Sequence, residues 1–255
     1  MDLGLEQFAY LDSPIHRWEA RSRLVGLLAL IFAFSFVQQM VLLPMMGAVT
    51  AVLFLISRLP ITFWFNRLRY PGVFLLVVAV LLPFFSGTTV LWQMGPLALR
   101  QEGLLAFLLI FVKFVCILTV SLVLFGAAPF LTSIKALRAL RVPPILADML
   151  LLTYRYIFEL GHDLQTMERA MRLRGFQAGR LSGRGARALA ALAGTLLVRS
   201  YEQSERVYQA MVLRGYGQPV ARPADEFVTT GRDWAALTAV LLLALGFVTA
   251  EVWLR

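Results

Sequence analysis

The chain has 255 residues, 59% of them hydrophobic and 15% charged, with a net charge of +9 and a pI of about 10.4. Soluble domains carry roughly 25% charged residues, so this composition points to the bilayer. The basic excess would suit nucleic acid, but cytoplasmic loops of membrane proteins collect Lys and Arg, and aromatic interleaving in the Arg-rich 169–187 region is slight, so no nucleic-acid role is expected.

The first twenty residues are polar and mixed, and the apolar stretch after them is too long for a cleavable leader. From Leu24 to Ser57 the chain is apolar, broken by Gln38-Gln39 and Pro44. A helix needs roughly 20 apolar residues to span a bilayer, so this stretch reads as a helical hairpin with short legs. A third span is expected over Pro71 to Phe85 and a fourth over Gly103 to Phe125. A fifth, Trp234 to Trp253, carries Trp at both ends, as the two interfaces favour. With a cytoplasmic N-terminus, this topology places only Arg100 and Arg255 outside and Lys113 within a span. Every other Lys and Arg then faces the cytoplasm. The expected fold is therefore an all-α polytopic membrane protein of about five spans. Its divisions are 1–128 for the N-terminal segment and first four spans, 129–232 for a cytoplasmic subdomain, and 233–255 for the last span.

The cytoplasmic interval is too polar to span and too helical in pattern to be a linker. "FLTSIKALRAL" has amphipathic spacing, and "VPPILADMLLLTYRYIFELGHDLQTMERAMRLRG" reads as one long helix after a Pro-Pro start. "GRLSGRGAR" is a turn region, followed by a second long helix over about Ala186 to Arg214. Both long helices end alike, in "AMRLRGF" and "AMVLRGY". Gly175 and Gly215 suit the left-handed C′ position that stops a helix, which makes Arg174 and Arg214 the C-caps. Met171 and Met211 then fall at C3, and Phe176 and Tyr216 at C″, the two positions that a Schellman ending brings into apolar contact. A C-terminal Arg also complements the helix dipole, so good capping alone would explain one copy. Two copies suggest one job done at two equivalent sites: arginines on ordered tips suit bidentate recognition of carboxylates on a partner with two similar acidic grooves.

These residues resemble the transmembrane T-components of energy-coupling-factor transporters, in particular the cobalt branch called CbiQ. The likeness rests on "FAYLDSPIHRWEARSRL", on "RVPPILADMLLLTYRYIFEL" and on the paired x-Arg-Gly motifs, and it covers nearly the whole chain. It departs from the family at Glu19-Ala20, where Asp-Pro is more usual, and at Leu173 and Leu213, where Ala is frequent. The resemblance implies a multi-pass protein of the bacterial inner membrane that joins a substrate-binding membrane subunit to two cytoplasmic ABC-type ATPases. Arg174 and Arg214 would pair with acidic ATPase residues, and Gly175 and Gly215 would allow close approach. It further implies a role in cobalt import, supplying cobalamin synthesis, with nickel or a vitamin as the alternative cargo.

Other candidates carry less. Cys116 stands alone, and His16 and His162 lie far apart with no second ligand at i+4, so no metal site is expected in this subunit. Met40, Met45 and Met46 read as gap-filling packing. Lys113 is mid-span and would pair with an acid of a neighbouring subunit or snorkel within the bundle. Arg155 and Glu159, four apart on a helix, suggest a structural pair. No Walker sequence, Ser/His/Asp set or carboxylate pair is present, so neither catalysis nor a cofactor is expected. A stand-alone secondary transporter is disfavoured by the lack of an inverted repeat.

Overall fold

The structure, a computed structural model, describes residues 13–85, 90–94, 97–176, 183–217 and 229–254. It is a helical membrane protein. The elements in chain order are α1 (Ala20–Phe36), a 3-10 turn (Met40–Leu42), α2 (Leu43–Ser57), α3 (Ile61–Phe85), β1 (Val90–Met94), β2 (Leu97–Arg100), α4 (Gln101–Gly126), α5 (Phe130–Ala139), α6 (Pro144–Leu173), α7 (Gly183–Leu213) and α8 (Gly231–Leu254). Two compact units emerge, one formed by 2–141 with 227–255 and the other by 142–226. The expected division at 129 concerned sidedness and the observed one concerns packing: α5 packs on α1 within the first unit.

Among the described residues, three helical stretches are long and apolar enough to cross a bilayer: Met40–Ser57, Gly103–Gly126 and Gly231–Leu254. The first leg of the expected hairpin is α1, with 17 residues; at 1.5 Å per residue it measures about 26 Å. The third expected span proves to be the second part of a longer helix. α3 begins ten residues earlier than Pro71 and runs through that proline, a residue tolerated in bilayer helices where neighbours re-satisfy the backbone. Trp64, near its start, donates its indole N–H to Thr119 of α4 at 2.8 Å. A short antiparallel β1–β2 ribbon, pairing Gln93 with Ala98 and Met94 with Leu97, was not expected. Its signal is the Gly95-Pro96 dipeptide between two apolar runs.

The core of the first unit is built where α1, α4 and α8 meet. Leu27, Leu30 and Phe34 of α1, Val120 and Val123 of α4, and Phe247 of α8 are all but excluded from solvent. Phe34 and Phe247 meet edge to face with centroids 5.2 Å apart. Gly26 makes room for the Trp18 ring: a Cβ there would lie 3.2 Å from it, while Leu237 and Val240 of α8 would be at an ordinary contact distance of 3.5 Å.

Both ends of α8 are fastened to α1 by carboxylates. At the start, Thr230-Gly231-Arg232-Asp233 forms one arm of a capping box, the Thr230 N–H donating to Asp233 Oδ2 at 3.0 Å. The other Asp233 oxygen accepts the backbone N–H of Glu19, the N-cap of α1, at 3.2 Å. At the far end, α1 stops at an extended Val37–Gln39 segment with orphaned amides. Glu251 Oε2 accepts both of them, Gln38 N–H at 3.0 Å and Gln39 N–H at 3.1 Å. Lys113 of α4 donates to the Val37 carbonyl at 2.8 Å and lies within electrostatic reach of Glu251. Lys113 thus finds its partners within the chain, and Glu251 supplies the acceptor for the amides of the helix break.

These contacts fix helix directions. α1 and α8 run parallel, start to start and end to end. α4 runs against them, with Lys113 beside the end of α1 and the Ala127 carbonyl accepting from buried Arg23, near its start, at 3.1 Å. α2 returns from the far end, so that Leu59 beyond it packs against Gly126, and α3 runs back again from there. α1, α2, α3, α4 and α8 therefore alternate in direction, and the chain leaves α4 and enters α8 at the same end of this unit.

Replacing Glu251 with Ala should strip the acceptor from two part-buried amides and a carboxylate from beside Lys113. A loss of about 2–4 kcal/mol is expected, read as a clear fall in the Tm of the detergent-solubilised protein. Glu251→Gln, which keeps an acceptor oxygen, should lose less. Equal Tm for all three proteins would contradict this role.

Candidate functional site

The two repeated helix ends have the same backbone, bond for bond. In the first, Phe176 N–H donates to the Met171 carbonyl at 3.1 Å and Gly175 N–H to the Arg172 carbonyl at 3.0 Å. In the second, Tyr216 N–H donates to the Met211 carbonyl at 3.0 Å and Gly215 N–H to the Val212 carbonyl at 2.9 Å. These are the 6→1 and 5→2 bonds of the Schellman ending. Gly175 and Gly215 both have φ of +84°, the left-handed conformation that glycine adopts without steric cost. Arg174 and Arg214 are the C-caps, as the spacing predicts, and both are exposed. Met171, Met211, Phe176 and Tyr216 are half-buried beneath them.

The charged neighbours differ from these two arginines in their pairing. Arg172 reaches Glu168 at 4.0 Å and Arg206 reaches Glu202 at 3.8 Å, both along one helix face. Among the described residues, Arg174 and Arg214 form no ion pair. Two guanidinium groups are therefore held on rigid ends with their hydrogen-bonding capacity directed at solvent.

α6 and α7 are antiparallel. Gln203 Nε2 donates to Glu159 Oε1 at 2.8 Å near mid-helix, and the Tyr216 hydroxyl donates to Asp148 Oδ2 at 3.4 Å near the start of α6. The second tip thus sits beside the beginning of α6 while the first caps its end. The 26 residues from Asp148 to Arg174 span roughly 39 Å of helix, which sets the separation of the tips. A forty-residue repeat on an antiparallel pair relates the tips by approximate twofold symmetry. The expected Arg155–Glu159 pair does not form. Arg155 lies over the Tyr156 ring, 5.9 Å from its centroid, and Glu159 is taken by Gln203, an acceptor for which an amide competes without the desolvation of two charges.

Several features escaped the sequence. Leu173 and Leu213, last in their helices, are 91% and 89% exposed. α6 and α7 also leave Ile145, Leu146, Met149, Leu197 and Val198 on the surface. Periodicity marked these faces as apolar, but it could not show that α6 and α7 leave them uncovered. Among the described residues, no three His, Cys, Asp or Glu side chains gather as a metal site would require. His16 is bound instead to Ser13 Oγ at 2.6 Å in the turn before α1.

Fold and site together define a helical membrane protein that carries a polar, antiparallel helix pair with two matched arginine tips. The family profile CbiQ, cobalt transport protein, matches residues 12–224. The chain is also 27% identical over 263 residues to the energy-coupling factor transporter transmembrane protein EcfT of Limosilactobacillus fermentum, covering 97% of each protein. It is 29% identical over 244 residues to the EcfT protein of Lacticaseibacillus paracasei, covering 91% of this chain and 92% of that one. The chain belongs to the CbiQ family, the transmembrane T-components of energy-coupling-factor transporters.

Substituting Gly175 by Ala should strain the left-handed position by about 1 kcal/mol although space for the methyl is open. Hydrogen exchange at the Phe176 amide should quicken several-fold, while Gly175→Asn should stay closer to the parent. Unchanged exchange in the Ala variant would contradict the capping role.

Proposed function

We propose that this chain is the non-catalytic coupling subunit of an ATP-driven cobalt importer, docking two ABC-type ATPase subunits through its paired tips. The observation that carries this reading is the bond-for-bond identity of the Arg174 and Arg214 tips, neither of which forms an ion pair among the described residues. A transporter needs two ATPase subunits to close on ATP, and two equivalent handles roughly 39 Å apart suit a pair of similar acidic grooves. The name of the EcfT relatives supports the transporter role, and the family's designation as cobalt transport proteins supports cobalt as cargo.

In this mechanism the N-terminus and the 129–232 subdomain lie in the cytoplasm, and α1, α2, α3, α4 and α8 make five crossings of the inner membrane. ATP binding draws the two ATPases together, and each arginine, paired with a carboxylate, moves with its groove. Schellman endings make the tips stiff, so displacement passes along α6 and α7 with little lost to fraying. The apolar stretches Ile145 to Leu152 and Leu189 to Leu197, in which Ile145, Leu146, Met149, Leu189 and Leu197 are exposed, are the surfaces that press on the substrate-binding membrane subunit, which holds the metal. ATP hydrolysis belongs to the ATPases, and the imported cobalt would feed cobalamin synthesis.

Arg174→Ala with Arg214→Ala should abolish co-purification of the ATPases, each lost charge-assisted pair weakening binding by at least about tenfold. Recovery of the ATPases in full amount would overturn the docking role. Cargo is tested separately: cells with and without this chain, their other transporter subunits held constant, should differ in uptake of labelled cobalt and not of nickel.

A further inference from the structure

The two tips share more than an arginine. Within the repeat the residue two before the arginine varies, Arg172 against Val212, whereas Leu-Arg-Gly is retained in both copies. The aromatic and methionine positions are half-buried in each tip, yet the leucines stand almost wholly in solvent. A single exposed leucine is ordinary on a protein surface. Two of them at the same backbone position, each preceding an arginine that forms no ion pair among the described residues, are a repeated surface element.

We infer that Leu173 and Leu213 are apolar anchors that enter the floor of the ATPase groove whose acidic wall binds the neighbouring arginine, an inference that rests on the docking reading above. The geometry separates the two roles. Successive residues at a helix end leave the axis about 100° apart, so a tip that lays its guanidinium on one wall presents its leucine to an adjacent surface. Charge complementarity favours an acidic partner: the last turns, Ala170–Arg174 and Ala210–Arg214, contain Arg172, Arg174 and Arg214 and no acid. Steering by the arginines would then bring the tip in, and burial of the leucine would hold it. The two contributions respond differently to salt, since screening weakens the ionic contact and leaves apolar burial intact.

The test is a titration of the full chain in lipid nanodiscs with its ATPase pair at two salt concentrations. Leu173→Ala with Leu213→Ala should weaken binding by about 100-fold at both salts, leaving the salt dependence as in the parent. Leu173→Met with Leu213→Met should recover most of the affinity, and Arg174→Ala with Arg214→Ala should lower both affinity and salt dependence. Parent-like binding of the leucine-to-alanine protein, with binding lost in the arginine variant, would overturn the anchors and leave the docking reading standing. Parent-like binding by both would overturn the docking reading itself. Because both leucines are exposed, the hydrogen-exchange pattern of α6 and α7 should match the parent in every variant, so that lost binding reports the interface.

Discussion

The structure depends on the fastening of α8 to α1 by two buried carboxylates. Asp233 and Glu251 are eighteen residues apart, five full turns of an α-helix, so they lie on one face and about 27 Å apart. That is close to the hydrocarbon thickness of a bilayer. Asp233 meets the Glu19 N–H at the start of α1, and Glu251 meets the amides of the extended segment beyond its end. An amide left without an acceptor is costly, so each carboxylate stabilises the end of α1 that it meets. The pair also specifies register: a slip of one residue along α8 would remove both contacts and separate Phe34 from Phe247.

Parallel first and last helices have a topological consequence. The chain must depart from the bundle and return to it at the end where α1 begins, since Arg23 binds the carbonyl just beyond α4 and Asp233 starts α8 beside Glu19. The segment 142–226 is inserted in the chain between α5 and α8. Within it, α6 and α7 owe their ends to backbone geometry and their mutual arrangement to a few polar contacts, Gln203 with Glu159 and Tyr216 with Asp148.

Much of this was legible in the sequence because it is local. Apolar runs located α2, α4 and α8, Pro143-Pro144 marked the start of α6, and Gly175 and Gly215 announced their left-handed endings through spacing alone. The parts that were not legible are those set by distant residues. Gln38-Gln39 signalled a break, but nothing nearby shows that Glu251, more than two hundred residues on, would satisfy it. Glu251 itself reads as a lone acid at the end of an apolar run. Arg155 and Glu159 had the right spacing for a pair, yet a residue on α7 competed for the carboxylate. The exposure of Leu173 and Leu213 could not be foreseen either, because periodicity places a residue on a face without saying whether another element covers that face.

The proposed topology, in which both arginine tips face the cytoplasm and the α1 break faces outward, is tested most directly by cysteine accessibility. With the buried Cys116 replaced by Ser, single cysteines at Arg172, Val212 and Gln38 would be exposed to a membrane-impermeant maleimide in oriented vesicles. Labelling at 172 and 212 only in inside-out vesicles, and at 38 only in right-side-out vesicles, is the result this account predicts. Labelling of either tip position from the external side would contradict it.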